Sequence, residues 1–273
     1  MITSALPDLA AWTDAFRVLG IPVFRDSARG IAEMIADEDR ASAIAIGRLA
    51  QRDPLLTLRV LALAARHRSR RAVTDTETTI TGVVMMGLGR VFEDLAAPEV
   101  VEDLLADDPD ARAGLDEVVA RARRAAGFAL AFAVHRRDTD AEVIQEAALL
   151  HDFAEMLLWC HAPALAREIR ERQRADPALR SAQAQLDVLG IRLTDLQQSL
   201  MRAWRLPELL AQITDQGQIA LARVRNVVLA VDLARHSQHG WDNPAIAEDL
   251  VGIGRLLNLT REAARDKVMA LED

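Results

Sequence analysis

No tyrosine occurs among the 273 residues, cysteine occurs once, and aromatic residues make up only 4% of the chain. The lone cysteine, Cys160, excludes an internal disulfide and suits a reducing cytoplasm. A basic surplus is missing as well: 33 Lys and Arg stand against 41 Asp and Glu, a net charge of −8. Phosphate contacts supply most of the affinity of nucleic-acid binders, so an acidic chain is expected to have no nucleic-acid partner. No apolar run suffices for a bilayer. The longest, AAGFALAFAV at 125–134, is ten residues, where about 20 are needed. The opening MITSALPDLAAWTD has no basic stretch leading into an apolar core and does not read as a secretory signal. The expectation is a cytoplasmic protein without a membrane partner.

What is present is alanine and leucine, within a chain that is 51% hydrophobic. Neither residue is β-branched, which favours helices over sheets. A chain of this length buries roughly three quarters of its unfolded surface, so no disulfide or metal staple is needed for stability. Nearly every segment repeats near 3.6 residues, and none alternates as a half-buried strand would.

In RDSARGIAEMIADEDR, Ala28, Ile31, Met34 and Ile35 are expected on one face, and in ASAIAIGRLAQ Ile44, Ile46 and Leu49 are expected inward. RDPLLTLRVLALAARH begins cleanly, with Asp53 able to cap and Pro54 at the first helical position. Its stripe is Leu55, Leu58, Leu61, Ala62 and Ala65. DDPDAR at 107–112 is the best internal boundary, and beyond it helices are expected at 114–136, 141–170 with a possible break at Pro163, 176–189 and 194–204. LPELLAQI, LARVRNVVLAVDLARHSQ and two short helices complete the chain, and HGWDNP at 239–244 reads as a turn.

Five stretches in this order resemble the HDOD domain, a degenerate relative of the HD metal-dependent phosphohydrolases. They are IPVF at 21–24, AQRDPLLTLRVLALA at 50–64, VVMMGLGRV at 83–91, AALLHDF at 147–153 and VLGIRLTDLQQSLMRAWRLP at 188–207, the last keeping Gly190, Trp204 and Pro207 in the family's spacing. The resemblance implies an all-α, HD-like fold. The expected organisation is an HDOD domain over 14–235, made of a smaller N-terminal bundle at 14–108 and an HD-like bundle at 112–235, with a C-terminal helical extension at 236–273. The apolar stripe of IAEDLVGIGRLLNL in that extension would dock on the core or mediate self-association.

The resemblance points to His151, Asp152 and Asp232 as remnant metal ligands, because an imidazole beside a carboxylate can hold a divalent ion and activate water. The preferred reading of His151-Asp152 is nevertheless a buried polar pair, with metal binding as the alternative. The rest of the enzymatic pattern is missing. Where the phosphohydrolases carry a histidine on the preceding helix, residues 121–124 are only Arg and Ala, and His135 lies over three turns further on. Later family histidines fall on Leu193 and on Asp215-Gln216, and Ala154-Glu155 stands where Gly-Lys often follows.

Three other features have plain readings. Cys160-His161 is too far from the HD pair to complete it. Arg66, Arg68, Arg70 and Arg71 around His67 read as a solvated loop, with an anion patch as the alternative. Gly87 and Gly89 are expected to permit close helix packing. The resemblance implies a non-catalytic bacterial signalling module that contacts other signalling proteins and forms a homodimer if self-associating, with no cofactor. The competing class is a phosphohydrolase of a nucleotide or cyclic dinucleotide, with a divalent metal at the remnant site.

Overall fold

The structure is a computed structural model that describes residues 1–67, 77–176 and 178–272, with only the backbone of Glu38 and Gln216. The expected all-α fold is found: among the described residues, the one β-type contact is a parallel bridge between Val23 and Val100. Helices α1 (Leu9–Leu19), α2 (Arg25–Ala36), α3 (Ala43–Ala50), α4 (Pro54–His67), α5 (Thr79–Met86), α6 (Leu88–Leu95) and α7 (Val101–Leu104) precede the long α8 (Pro109–Arg136). Then come α9 (Ala141–Leu149), α10 (Phe153–His161), α11 (Pro163–Ala175), α12 (Ser181–Leu189) and α13 (Leu193–Ala203). The last four are α14 (Glu208–Ile213), α15 (Ala222–His236), α16 (Ile246–Leu257) and α17 (Arg261–Met269). None of the described helices is long and apolar enough to cross a membrane.

The chain forms two compact units. The first joins Met1–Val119 to Asp152–Pro207, and the second joins Ala120–His151 to the chain from Glu208 onward.

The first unit is organised around the buried Asp53. Its Oδ1 accepts the N–H groups of Leu55 (2.9 Å) and Leu56 (3.0 Å), capping α4, while Oδ2 accepts the Phe24 N–H at 3.0 Å. One carboxylate thus caps a helix and holds the IPVF segment against it. Arg59, on the same helix, donates to the carbonyl oxygens of Ile21 (2.7 Å) and Asp94 (3.3 Å). Of the expected stripe, Leu55, Leu58 and Leu61 are buried whereas Ala62 and Ala65 are partly exposed; Leu56, Val60 and Leu63 are buried as well, so α4 lies in the core on nearly every side.

Two inward assignments are corrected. Ile44 is 57% exposed and Ile35 41%, whereas Ile46 and Met34 are buried. Residues two apart on a helix are separated by about 200°, so Ile44 and Ile46 cannot share a face. Gly87 also differs from expectation. A side chain there would meet open space, but φ is +80° where α5 ends and α6 begins, a backbone region that favours glycine. Gly89 too has room for a side chain.

The helix expected over 141–170 is three helices. After α9 the backbone tightens, with the His151 N–H reaching Ala148 O at 3.3 Å, and Pro163 opens α11 at a position needing no N–H donor. α10 is buried at every residue but Glu155. α1 is strapped to it: His161 Nε2 donates to Gly20 O at 3.1 Å, and the Ile2 N–H donates to His161 O at 2.7 Å. Trp12 and Thr13 fasten α1 elsewhere in the unit, through Trp12 Nε1 to Leu189 O (3.2 Å) and Thr13 to Ser199 (2.8 Å).

In the second unit α16 packs on α15 and α17 on α16. Ile246, Leu250, Ile253, Leu256 and Leu257 are buried, so the apolar stripe of the C-terminal extension docks within its own unit. Arg124 joins the last residues to α15 and α8, pairing with Glu272 at 2.8 Å and donating to Ser237 Oγ at 3.0 Å.

Two stability predictions follow from these contacts. Asp53→Ala removes a cap and leaves a buried amide without an acceptor, and is expected to cost roughly 2–4 kcal/mol in urea unfolding. Asp53→Asn retains the acceptor for α4 but turns an N–H toward Phe24, and should fall between the wild type and Asp53→Ala. Equal stability of all three would remove Asp53 from its place in the account. Burial, meanwhile, holds the His161 imidazole below its usual 6.5. The unfolded chain therefore takes up the proton first as pH falls, so this stabilisation is full above about 6.5 and is lost on acidification below it. Urea midpoints at pH 7.5 and 5.5 should differ less in His161→Gln than in the wild type; equal differences would refute the assignment.

Candidate functional site

The residues of the HD pair occupy a turn, not a helix, between α9 and α10. His151, 9% exposed, closes the second unit's contribution to the turn, and the half-buried Asp152 opens the first unit's. Asp152 stands at the N-cap of α10 and its carbonyl oxygen accepts from the N–H groups of Glu155 (3.0 Å) and Met156 (3.2 Å). The next residue, Phe153, is fully buried, and its ring lies 6.1 Å from that of Trp204. Small apolar residues precede the pair because α9 buries Ala147, Ala148 and Leu149.

The third candidate, Asp232, is on α15, where its side chain is 37% exposed and lies 4.0 Å from Arg235. His135, the one imidazole on α8, places Nε2 3.3 Å from Leu257 O. At the family's other histidine positions, Leu193 is buried and Asp215 Oδ1 accepts the Gly217 N–H at 3.0 Å. Among the described residues no three His, Cys, Asp or Glu side chains lie together as a metal ion would require. A resident divalent ion needs at least three protein ligands, and the described donors do not fit one.

Gly190 and the Trp204–Pro207 stretch have structural roles. Gly190 ends α12 in the left-handed region at φ +72°, donating to Leu186 O. Trp204 ends α13, Arg205 follows at φ +55°, and the Leu206 N–H returns to Met201 O at 3.0 Å. Pro207 then forbids continuation of the helix.

The neighbouring Cys160-His161 pair is equally committed to packing. Cys160 is fully buried and burial pushes its thiol well up, so no thiolate forms there. Of the expected basic loop, Arg66 and His67 are described; they form the last turn of α4 instead, and both face one carboxylate, Arg66 at 2.6 Å and His67 at 3.0 Å from Asp94. Arg68, Arg70 and Arg71 lie outside the described residues.

A concavity that sequence reading missed lies in the first unit. It has a volume of about 330 Å³ and is lined by Glu33 and Met34 of α2, Arg40, Arg48 and Leu49 of α3, and Arg52 beyond it. The available signal was the spacing of Ala45, Arg48, Leu49 and Arg52, at i, i+3, i+4 and i+7 on one helical face.

Comparison with known proteins bears on the fold. A family model, the HDOD domain, matches residues 21–219. The MmoQ response regulator of Methylococcus capsulatus str. Bath has a similar structure, with a TM-score of 0.63 at 18% identity over 91% of this chain and 98% of that one. A virulence factor of Campylobacter jejuni subsp. jejuni gives 0.63 at 15% identity, covering 95% and 92%. An HDOD domain protein with unknown function from Geobacter sulfurreducens gives 0.50 at 17%, covering 97% of each chain. No curated protein matches the sequence.

Proposed function

The chain belongs to the HDOD domain family, and from that premise we propose that it is a non-catalytic signal-transduction module acting through contacts with other signalling proteins. The signalling role is carried over from the family and from its structural neighbour, a response regulator.

The non-catalytic part rests on one observation, the supply of imidazoles. Of six histidines, four are engaged away from the HD turn: His67 with Asp94, His135 with Leu257 O, His161 with Gly20 O and His236 with Asp249. His239 follows the end of α15, and among the described residues no three His, Cys, Asp or Glu side chains gather as a metal ion would require. Generating hydroxide on a metal requires a fuller ligand set than one histidine with carboxylates.

Support for the contact role comes from apolar side chains left in water. α3 and α5 pack together, and Ile44, Val84 and Met85 on them are each more than half exposed. Contiguous apolar exposure is a mark of interaction surfaces, and these side chains are the candidates for one. The proposal places the protein in a reducing bacterial cytoplasm, consistent with a single buried thiol.

The test is turnover. With Mn²⁺ supplied, bis(p-nitrophenyl) phosphate and a cyclic dinucleotide should be hydrolysed no faster than in buffer, by the wild type and by His151→Ala alike. Wild-type hydrolysis that disappears in His151→Ala would establish the competing phosphohydrolase reading.

A further inference from the structure

We propose that the concavity beside α2 and α3 is the docking groove for an acidic amphipathic helix of a partner protein, which seats an apolar side chain in it. The inference rests on the contact role proposed above and names the chemistry of the partner.

The groove is built by a close approach of two helices. Gly30 of α2 faces Leu49 of α3 so closely that a side chain at Gly30 would meet the Leu49 methyl groups at 2.8 and 3.1 Å. Met34 and Ala45 add to a mainly apolar lining, and the volume of about 330 Å³ is open along one side. Pockets for small molecules enclose most of the ligand. An open-sided apolar concavity instead suits one anchoring side chain on a surface that covers the rest, as when the apolar face of a helix lies in a groove. Ile44 extends the apolar surface. It is 57% exposed and stands one turn before Arg48 on the same face of α3.

Charge gives the sign of the partner. The chain carries −8 overall, yet residues 41–52 contain Arg48 and Arg52 and no Asp or Glu. Both arginines border the concavity and both are exposed, so their stems extend the apolar lining while the charged ends stay in water. No ion pair or side-chain hydrogen bond engages either one among the described residues. Arg40 also borders the concavity, and Glu33, 3.9 Å from it, offsets its charge. Two positive charges beside an apolar groove complement a helix that carries carboxylates next to its apolar stripe. Like charge opposes a second copy of a chain with net −8, which favours a different protein.

Fluorescence anisotropy with the whole chain and a labelled synthetic helix of about 16 residues, leucine on one face and glutamate elsewhere, tests the proposal. Two comparison peptides carry lysine for glutamate, or the same composition in scrambled order. The acidic amphipathic peptide should bind saturably at one site per chain, more tightly than either comparison peptide and more weakly as salt rises. Ala45→Glu puts a charged side chain into the concavity three residues after the Ser42 cap, a favourable capping pair, so the melting temperature should hold. Binding should nevertheless weaken at least about tenfold. Arg48→Gln/Arg52→Gln should weaken binding and flatten its salt dependence. Absence of saturable binding at millimolar chain, equal affinity for the acidic and either comparison peptide, or equal affinity of wild type and Ala45→Glu would each overturn the groove. So would a wild-type dimer in sedimentation that Ala45→Glu dissociates, which would assign the face to a second copy. Metal-dependent hydrolysis by the wild type would instead remove the contact reading on which the proposal rests.

Discussion

A single buried carboxylate connects the parts of the first unit that its sequence leaves far apart. Asp53 serves the first turn of α4 with one oxygen and the Phe24 amide with the other. Burial pushes its pKa up and the amides pull part of that back, so its cost in the core is offset only while those contacts exist. Once Phe24 is fixed, Val23 is placed to bridge Val100, and Arg59 reaches the Ile21 carbonyl from the next turn of α4. The IPVF and DPLL stretches are therefore two sides of one hydrogen-bonded joint, which explains why they occur together as a signature.

The remaining family stretches have the same character. Gly87 supplies a positive φ between two helices, Gly190 ends α12, and Trp204 and Pro207 end α13. The HD turn feeds directly into α10, the helix with the least contact with water in its unit. Each marks a place where the backbone turns or a helix must stop. On the proposed reading, the motifs persist because they specify a helical frame, and His151-Asp152 stays as part of a turn rather than as a grip on a cation.

Much of this was legible in the sequence. The 3.6-residue period, the Asp53-Pro54 start and the turn at 239–244 marked elements that the structure contains. Other features left no local trace. Ile44 and Ile46 look equivalent in composition, and only their angle about the helix separates core from solvent. The interruption at 150–152 has no proline or glycine, so the run from Ala141 reads as continuous although the backbone tightens there. The division between units passes through the unbroken α8, between Val119 and Ala120. At the site, the pair itself was visible. The engagement of His135, His67 and His236 depends on long-range packing that no spacing rule reports, and the concavity beside α2 and α3 also draws on Arg40 between them and Arg52 beyond α3.

The central claim is a shortage of ligands at the HD turn, and elemental analysis of the purified chain after equilibration with Mn²⁺ or Fe²⁺ and removal of free ion addresses it most directly. The account predicts far less than one metal ion per chain. One or more tightly held ions per chain, lost on replacement of His151, would contradict it.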